Sequence, residues 1–117
     1  MSGDSGARLV FGGFRSVWVV AMFDLPTDTK LARRHYAQFR KMLLKDGFAM
    51  MQYSVYIRHC ASEENATVHF ERVKRALPPD GEVRLLQITD KQFGRMHVYY
   101  GKRRKKTEQG AVQIELF

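Results

Sequence analysis

Hydrophobic residues follow two different patterns in the first half of the chain, and each pattern predicts a different element. Residues 17–23 are continuously apolar and rich in β-branched side chains, up to a stop at Pro26. This run predicts a strand that is buried on both faces and ends in a proline turn. Residues 27–46 have apolar side chains at helical spacing, so we expect an amphipathic helix capped by Thr27 or Asp28. Its predicted apolar side consists of Leu31, Ala32, Tyr36, Phe39, Met42 and Leu43.

A predicted hairpin and a second helix follow. Gly47 ends the first helix, and the runs 48–52 and 54–58 indicate two tightly joined strands. Ser62 precedes two acidic residues, which is typical of a hydroxyl cap followed by a first turn that complements the helix dipole. We expect this helix to continue until Pro78 stops it. Its predicted apolar side consists of Ala66, His69, Phe70, Val73 and Leu77.

The C-terminal third is predicted to be rich in strands. Residues 82–89 have the composition of a strand, and so do residues 96–100, which follow a short connection at residues 90–94. Residues 111–117 alternate apolar and polar side chains with period two, which is typical of an edge strand that needs a sheet to pair with. The five consecutive cations at residues 102–106 form a block that is usually solvated until it meets a partner.

The order strand, helix, strand, strand, helix, strand predicts an α+β fold of the ferredoxin-like βαββαβ type. We place this domain at residues 16–101. The glycine-rich residues 1–15 are interpreted as a flexible leader or a remnant of cloning, and residues 102–117 as a basic linker with a docking strand. The additional C-terminal strands exceed what one four-stranded sheet requires, so we expect them to pair with a second protomer in a homodimer or to dock a partner.

The composition indicates a folded, basic protein. The 117 residues include 20 Lys and Arg against 12 Asp and Glu, which gives a formal net charge of +8. Such an excess on a small domain attracts polyanions, of which nucleic acid is the commonest. No apolar run reaches the roughly 18–20 residues that cross a bilayer. Since the N-terminus lacks a secretory signal and Cys60 is the one cysteine, we expect a cytoplasmic protein without a membrane partner.

The positive charges are concentrated on the polar side of the first helix and in the C-terminal run. Cations spaced along a helix can follow a phosphate backbone, and a nearby basic segment extends that track. The alternative is an ordinary solvated helix face, although such faces normally mix both signs. The predicted nucleic-acid-binding residues are Lys30, Arg33, Arg34, Lys41 and Lys45 of the helix, and Lys102, Arg103, Arg104, Lys105 and Lys106 of the run.

Asp24 is the candidate for chemistry. Its carboxylate directly follows the buried apolar run, where a strand end can hold a reactive group rigidly and within reach. The alternative is an Asp that orders the following proline turn or caps the next helix. Mg²⁺ is usually held by one or two carboxylates and water. A two-fold dimer with Asp24 near its axis would supply two carboxylates from one position.

Other reactive chemistry finds little support in the sequence. His35 and His69 lie on the apolar sides of the predicted helices, which favours core or boundary positions over ligand roles. No pair of residues has zinc spacing, Cys60 has no evident base beside it, and glycine-rich phosphate loops are absent.

Several of these residues together resemble one family, the Cas-two family, which is the smaller of the two CRISPR spacer-acquisition proteins. The residues that carry the resemblance are the segment 20–26 with Asp24, Arg33, Arg34, Phe39, Leu43, Gly47 and the QYSVY segment at 52–56. The resemblance covers residues 17–101. Residues 91–95 and the long basic tail most resemble members from type II CRISPR loci.

The resemblance implies a role in CRISPR adaptation, a part of antiviral defence. It implies a ferredoxin-like homodimer that bridges two dimers of the Cas-one integrase and holds double-stranded prespacer DNA during spacer acquisition. Members are also described as Mg²⁺-dependent endonucleases on RNA or DNA. Carried onto this chain, the catalytic and metal-binding residue is Asp24 of both protomers, and Ser54 and Tyr56 lie in the second motif. The acid that often follows that motif is replaced by Ile57 and Arg58.

The sequence leaves a second class of function open. The same fold would suit a stand-alone Mg²⁺-dependent endoribonuclease or a toxin-like RNA-binding module. A neighbouring integrase gene and repeat array would favour the adaptation role.

Overall fold

The computed structural model describes residues 15–103, and in this range it contains four strands and three helices. They are, in chain order, β1 (Val17–Asp24), α1 (Lys30–Lys45), β2 (Ala49–Gln52), β3 (Val55–Cys60), α2 (Glu63–Arg75), β4 (Glu82–Thr89) and α3 (Asp90–Gly94). The first six elements follow the predicted order, and the α+β class is confirmed. The predicted leader up to residue 14, the cations Arg104, Lys105 and Lys106, and the predicted strand at residues 111–117 lie outside the described residues.

The four strands form one antiparallel sheet in the order β2-β3-β1-β4. β1 lies between β3 and β4, and its Val20 is opposite Ile57 on one side and Leu86 on the other. The predicted burial on both faces holds only in part, because the face of β1 towards the helices is buried, whereas on its other face Val20 is buried and Trp18 and Met22 are half-buried. β2 and β3 form the predicted hairpin, and their turn lies at residues 53–54.

The core lies between one face of the sheet and the helices α1 and α2. Val19 and Ala21 of β1 are fully buried in one cluster with Phe39 and Leu43 of α1. Burial of one such large side chain stabilises the fold by about 1.5–3 kcal/mol. His69 of α2 is 2% exposed, which agrees with its predicted core or boundary position.

The helix caps agree with the sequence at α2 but not at α1. Ser62 caps α2 as predicted, and its hydroxyl accepts a hydrogen bond from the amide of Asn65 at 3.0 Å. The cap of α1 is Thr29, whose Oγ1 accepts from the amide of Ala32 at 3.0 Å. The prediction of Thr27 or Asp28 as the cap is therefore wrong. Residues 27–29 are all good caps, so residue type alone could not choose among them.

Two positions on the predicted apolar sides are exposed. Leu31 is 56% exposed because it lies at the edge of the apolar sector of α1, about 80° from Phe39 at 100° per residue. Leu77 is 49% exposed because α2 has already ended at Arg75. The buried side of α1 is thus narrower than predicted, and the buried side of α2 is shorter.

The segment after β4 differs most from the prediction. Residues 90–94 form the short helix α3 instead of an irregular connection. Thr89 and Gln92 start it with reciprocal hydrogen bonds, from the amide of Gln92 to the Thr89 hydroxyl and from the amide of Thr89 to the Gln92 side chain. The predicted strand at residues 96–100 is wrong for the described chain. A strand needs a neighbouring strand for its backbone hydrogen bonds, and the sheet of the described residues consists of β1 to β4 alone.

Among residues 15–103, no helix has both the length and the apolar character that a membrane span requires.

Candidate nucleic-acid interface and metal site

Asp24 is the last residue of β1 and is exposed. Its backbone is fixed by β4, where Glu82 is its partner in the register. Gly81 allows this close approach, because a Cβ atom there would lie 2.7 Å from the carbonyl oxygen of Asp24, and its φ of +97° favours glycine. Within the described part of the chain, the Asp24 carboxylate forms no hydrogen bond or ion pair. The strand end thus holds an available carboxylate.

The hairpin turn lies beside this strand end. The carbonyl oxygen of Ser54 accepts a hydrogen bond from the amide of Phe23 at 3.1 Å, one residue before Asp24. The side-chain oxygen of Ser54 lies 2.9 Å from the hydroxyl of Tyr36 on α1. Tyr56 is 1% exposed and stacks on Phe23 at 5.6 Å. The structure therefore places both residues of the second motif where they support the strand end, with Tyr56 in the core.

Within the described residues, Asp24 offers a single carboxylate to a cation such as Mg²⁺. Carboxylate oxygen is the ligand type that Mg²⁺ prefers. Glu82 is the nearest carboxylate in the register, but it pairs with Arg84 at 3.2 Å. No group of three or more His, Cys, Asp and Glu residues that could hold a metal ion occurs between residues 15 and 103. Asp24 alone therefore fits as one ligand, and the rest of the shell has to come from water or a second protomer.

The five predicted cations of α1 form one solvent-facing surface, which we call the basic stripe. α1 contains no acidic residue between its first and last positions. A guanidinium nitrogen of Arg33 donates to the carbonyl oxygen of Thr27 at 3.0 Å, which positions this side chain near the start of the helix. Lys102 and Arg103 are also exposed. The structure brings the helical cations together on one face, as the spacing predicts. The members of the basic stripe are Lys30, Arg33, Arg34, Lys41 and Lys45.

Sequence reasoning missed further cations near the stripe. Arg40 is exposed on α1 and lies one turn after Tyr36. Arg72 and Arg75, in the last turn of α2, line a groove of about 350 Å³ together with Lys45 of the stripe. Helical spacing in α1 and the basic end of α2 were the signals that could have found them.

Asp46, which ends α1, is the most engaged carboxylate of the described chain. It lies 2.7 Å from both Nδ1 of His69 and a guanidinium nitrogen of Arg72, and its carbonyl oxygen accepts from Nε of Arg58 at 2.8 Å. Burial acts to raise the pKa of Asp46, but the hydrogen bonds and electrostatic attraction of His69 and Arg72 outweigh it and hold the pKa below its usual value. Asp46 therefore joins α1, β3 and α2 as a structural centre.

The second face of the sheet points away from α1 and α2 and carries an apolar surface. Every second side chain of β1 lies on this face, namely those of Trp18, Val20 and Met22. Val20 lies opposite Ile57 of β3 and Leu86 of β4. α3 covers one corner, where Phe93 stacks on Trp18 at 4.0 Å and Asp90 accepts a hydrogen bond from the indole nitrogen at 2.7 Å. Leu86 is 49% exposed. The half-buried apolar residues of this face are Trp18, Met22, Val55 and Ile88.

Cys60 is fully buried, and burial raises the pKa of its thiol. A thiol in this state is a poor nucleophile.

The comparisons with known proteins agree on one family. Residues 17–96 match the family model of the CRISPR associated protein Cas2. The chain is 63% identical over 101 residues to the CRISPR-associated endoribonuclease Cas2 of Parvibaculum lavamentivorans, which covers 86% of this chain and 100% of that relative. It is 51% identical over 104 residues to the protein of the same name from Flavobacterium psychrophilum, with 89% of this chain and 90% of the relative covered.

A solved structure described as "Crystal structure of cas2" is similar in fold. Its TM-score is 0.52 at 21% sequence identity, and the match covers 78% of this chain and 95% of that chain. The family model spans well over half of the sequence, and the curated relatives match it over nearly their whole length. The chain therefore belongs to the Cas2 family.

Proposed function

We propose that the protein is a CRISPR adaptation subunit. In this role a homodimer of ferredoxin-like chains binds double-stranded prespacer DNA and bridges two dimers of the Cas-one integrase during spacer acquisition. The observation that carries the proposal is the basic stripe, an exposed row of cations on a helix without acidic residues. Membership in the Cas2 family supports it. We further propose that the protein comes from a type II CRISPR locus, because residues 91–95 and the basic tail resemble members from such loci.

The basic stripe has the dimensions of a phosphate track. At about 1.5 Å per residue, the helix rises about 22 Å between Lys30 and Lys45. Phosphates of one DNA strand follow each other every 3.4 Å or so along the helix axis, so the stripe spans about six of them. The stripes of two protomers would double the number of contacts, and duplex affinity would then depend steeply on salt.

The second face of the sheet supports a homodimer. A second copy of the chain packed on this face would bury Leu86 and the exposed parts of Trp18 and Met22, which favours association because apolar surface leaves water. Because side chains alternate along a strand, Asp24 lies on the same face of the sheet as Trp18 and Met22. A two-fold axis through this face therefore brings two Asp24 carboxylates towards one interface.

A second function, Mg²⁺-dependent endonuclease, is favoured by the available carboxylate of Asp24. The two relatives named above are both called endoribonuclease. Mg²⁺, held by the Asp24 residues of two protomers, would supply polarisation of a phosphoryl oxygen and positioning of water. Asp24 holds the ligand oxygen at a rigid strand end, and the basic stripe draws the phosphodiester towards the protein. Without an integrase partner, the same activity would suit a stand-alone endoribonuclease or a toxin-like RNA-binding module.

A pull-down tests the bridging role. The tagged full-length protein should recover the Cas-one integrase of the same organism, and deletion of residues 111–117 should abolish recovery because this segment is the predicted docking strand. Deletion of residues 5–11, which removes the same number of residues from the leader, is the matched control and should leave recovery unchanged. Failure of the intact chain to recover the integrase would contradict the bridging role.

A further inference from the structure

Three aromatic rings connect the core to solvent beside the strand end of Asp24. Phe23 of the core contacts Tyr36 of α1 edge to face, with 5.9 Å between the ring centroids. Tyr36 in turn stacks with Tyr53 of the hairpin turn at 6.2 Å and an interplanar angle of 23°. Tyr53 is 78% exposed. Tyr53 therefore rests on a supported ring while most of its own surface, including a π-face, is open to a ligand.

The backbone of the turn that carries Tyr53 is held in place at Ser54. Ser54 has a φ of +64° and is the one non-glycine residue with positive φ in the described range. This conformation is stabilised by its carbonyl contact with the amide of Phe23 and by its side-chain contact with the hydroxyl of Tyr36. The turn is therefore fixed from both the strand and the helix. A ring fixed in this way loses little conformational entropy when it binds a partner.

Cations flank the aromatic pair on α1. Arg33 lies three residues before Tyr36 and Arg40 four residues after it, so both lie on the same side of the helix as Tyr36. Both are exposed. Arg33 uses one of its five N–H donors in the hydrogen bond to the carbonyl oxygen of Thr27. Along α1, the pair of Tyr36 and Tyr53 therefore lies between the guanidinium groups of Arg33 and Arg40.

Tyr53 stays neutral at physiological pH. Its interaction with the neighbouring Tyr36 raises the pKa of the Tyr53 hydroxyl above its usual value. The ring therefore adds no negative charge beside the two arginines, which keeps the surface suited to an anionic ligand.

We propose that Tyr53 is a stacking platform for an unpaired base of a single-stranded or splayed nucleic acid, with Arg33 and Arg40 on the neighbouring phosphates. Aromatic rings bind every base through its π-face, so the contact has little sequence preference. A base within a duplex is already stacked on its neighbours and does not use this platform. The inference rests on the proposed binding of nucleic acid by α1 and adds to it a site for unpaired ends or single strands.

A fluorescence experiment with the full-length protein tests this inference. The probe is a short single-stranded oligonucleotide with one 2-aminopurine base, whose emission is quenched when the base stacks. The wild type and Tyr53→Phe should quench it. Tyr53→Ser and Tyr53→Leu should abolish quenching and weaken single-strand binding between about fivefold and a hundredfold. Tyr53→Leu keeps an apolar contact with Tyr36 without a planar ring, so it controls for a loss of turn structure.

Duplex binding and a second tyrosine separate this inference from the proposed function. The affinity for a blunt duplex should stay the same in all Tyr53 variants. Tyr99 is 84% exposed outside the hairpin, so Tyr99→Ser is the matched control and should quench as the wild type does. Equal quenching and affinity in Tyr53→Leu and the wild type would overturn the platform while duplex binding stands. Loss of self-association in Tyr53→Leu with unchanged single-strand binding would assign the ring to a protein interface and also overturn it.

Discussion

Asp24 and Asp46 each lie at the end of a secondary-structure element, yet their surroundings are opposite. Asp24 ends β1 with an exposed carboxylate that forms no hydrogen bond or ion pair with the described residues. Asp46 ends α1 with its carboxylate between His69 and Arg72. A carboxylate whose lone pairs are already used stabilises the fold, whereas a free one remains available to a cation or a substrate. The contrast separates a structural residue from a candidate for chemistry without reference to any other protein.

The largest expected effect is on stability, from Asp46→Ala. Its loss leaves the buried His69 and one hydrogen bond of the half-exposed Arg72 without a partner, which should lower the free energy of unfolding by about 1–3 kcal/mol. Chemical denaturation of the variant and the wild type measures it. Asp46→Asn keeps the size of the side chain and one acceptor oxygen, so it should cost less. A loss below about 1 kcal/mol for Asp46→Ala would contradict the structural role.

The next effect is on catalysis, from Asp24→Ala. If the protein is an Mg²⁺-dependent endonuclease, loss of this ligand should reduce cleavage about a hundredfold or more, because loss of even an outer-shell partner of a metal commonly costs 10- to 100-fold. Cleavage of RNA and DNA is measured at matched Mg²⁺ with protein purified free of host nucleases. Asp80→Ala, an exposed carboxylate outside the sheet, is the control and should cleave as the wild type does. Equal cleavage by the wild type and Asp24→Ala would reject the enzyme hypothesis.

A smaller effect is the pH dependence of stability. The pKa of Asp46 in the folded protein lies below its ordinary value of 3.8, so the folded state binds fewer protons than the unfolded state as the pH falls. The stabilisation by Asp46 is therefore complete above the unfolded pKa and is lost as the pH falls through the folded pKa. The difference in unfolding free energy between the wild type and Asp46→Asn, measured from about pH 6 down to about pH 3, should shrink towards acid. If the difference in unfolding free energy instead grew as the pH falls, the lowered pKa of Asp46 in the folded protein would be contradicted.

The smallest effect is the stability of Asp24→Ala. Because the exposed carboxylate has no partner to lose among the described residues, the free energy of unfolding should change by less than about 0.5 kcal/mol. The same denaturation experiment measures it. A loss comparable to that of Asp46→Ala would remove the distinction between the two aspartates.

The sequence predicts those features that depend on neighbouring residues. β1, the cap at Ser62 and β4 follow from local patterns, and the structure confirms them. The contact between Asp46 and His69 joins residues 23 positions apart, so no local pattern contains it. His69 could be recognised as a core residue, but its acceptor could not.

Two other features needed the structure for different reasons. The proposed platform residue Tyr53 lies against Tyr36 because the β2–β3 turn and α1 meet, and this contact depends on the packing of the whole sheet. The strand predicted at residues 96–100 has the right composition, but composition does not tell whether a neighbouring edge is present. The position of Asp24 at a strand end was predictable, whereas its lack of a partner was not.

The salt dependence of duplex binding tests the central claim, that the basic stripe of α1 binds nucleic-acid phosphates. The logarithm of the affinity for double-stranded DNA, plotted against the logarithm of the salt concentration, is compared for the wild type and the triple variant Lys30→Gln, Arg33→Gln, Arg34→Gln. The triple variant Lys74→Gln, Lys91→Gln, Arg95→Gln removes the same charge from exposed positions elsewhere and is the control.

If the three cations of the stripe each neutralise a phosphate, the stripe variant should bind more weakly, and its slope should be shallower by about 3 for each contacting protomer. The control variant should keep nearly the slope of the wild type. Equal slopes and affinities for the wild type and the stripe variant would contradict the claim.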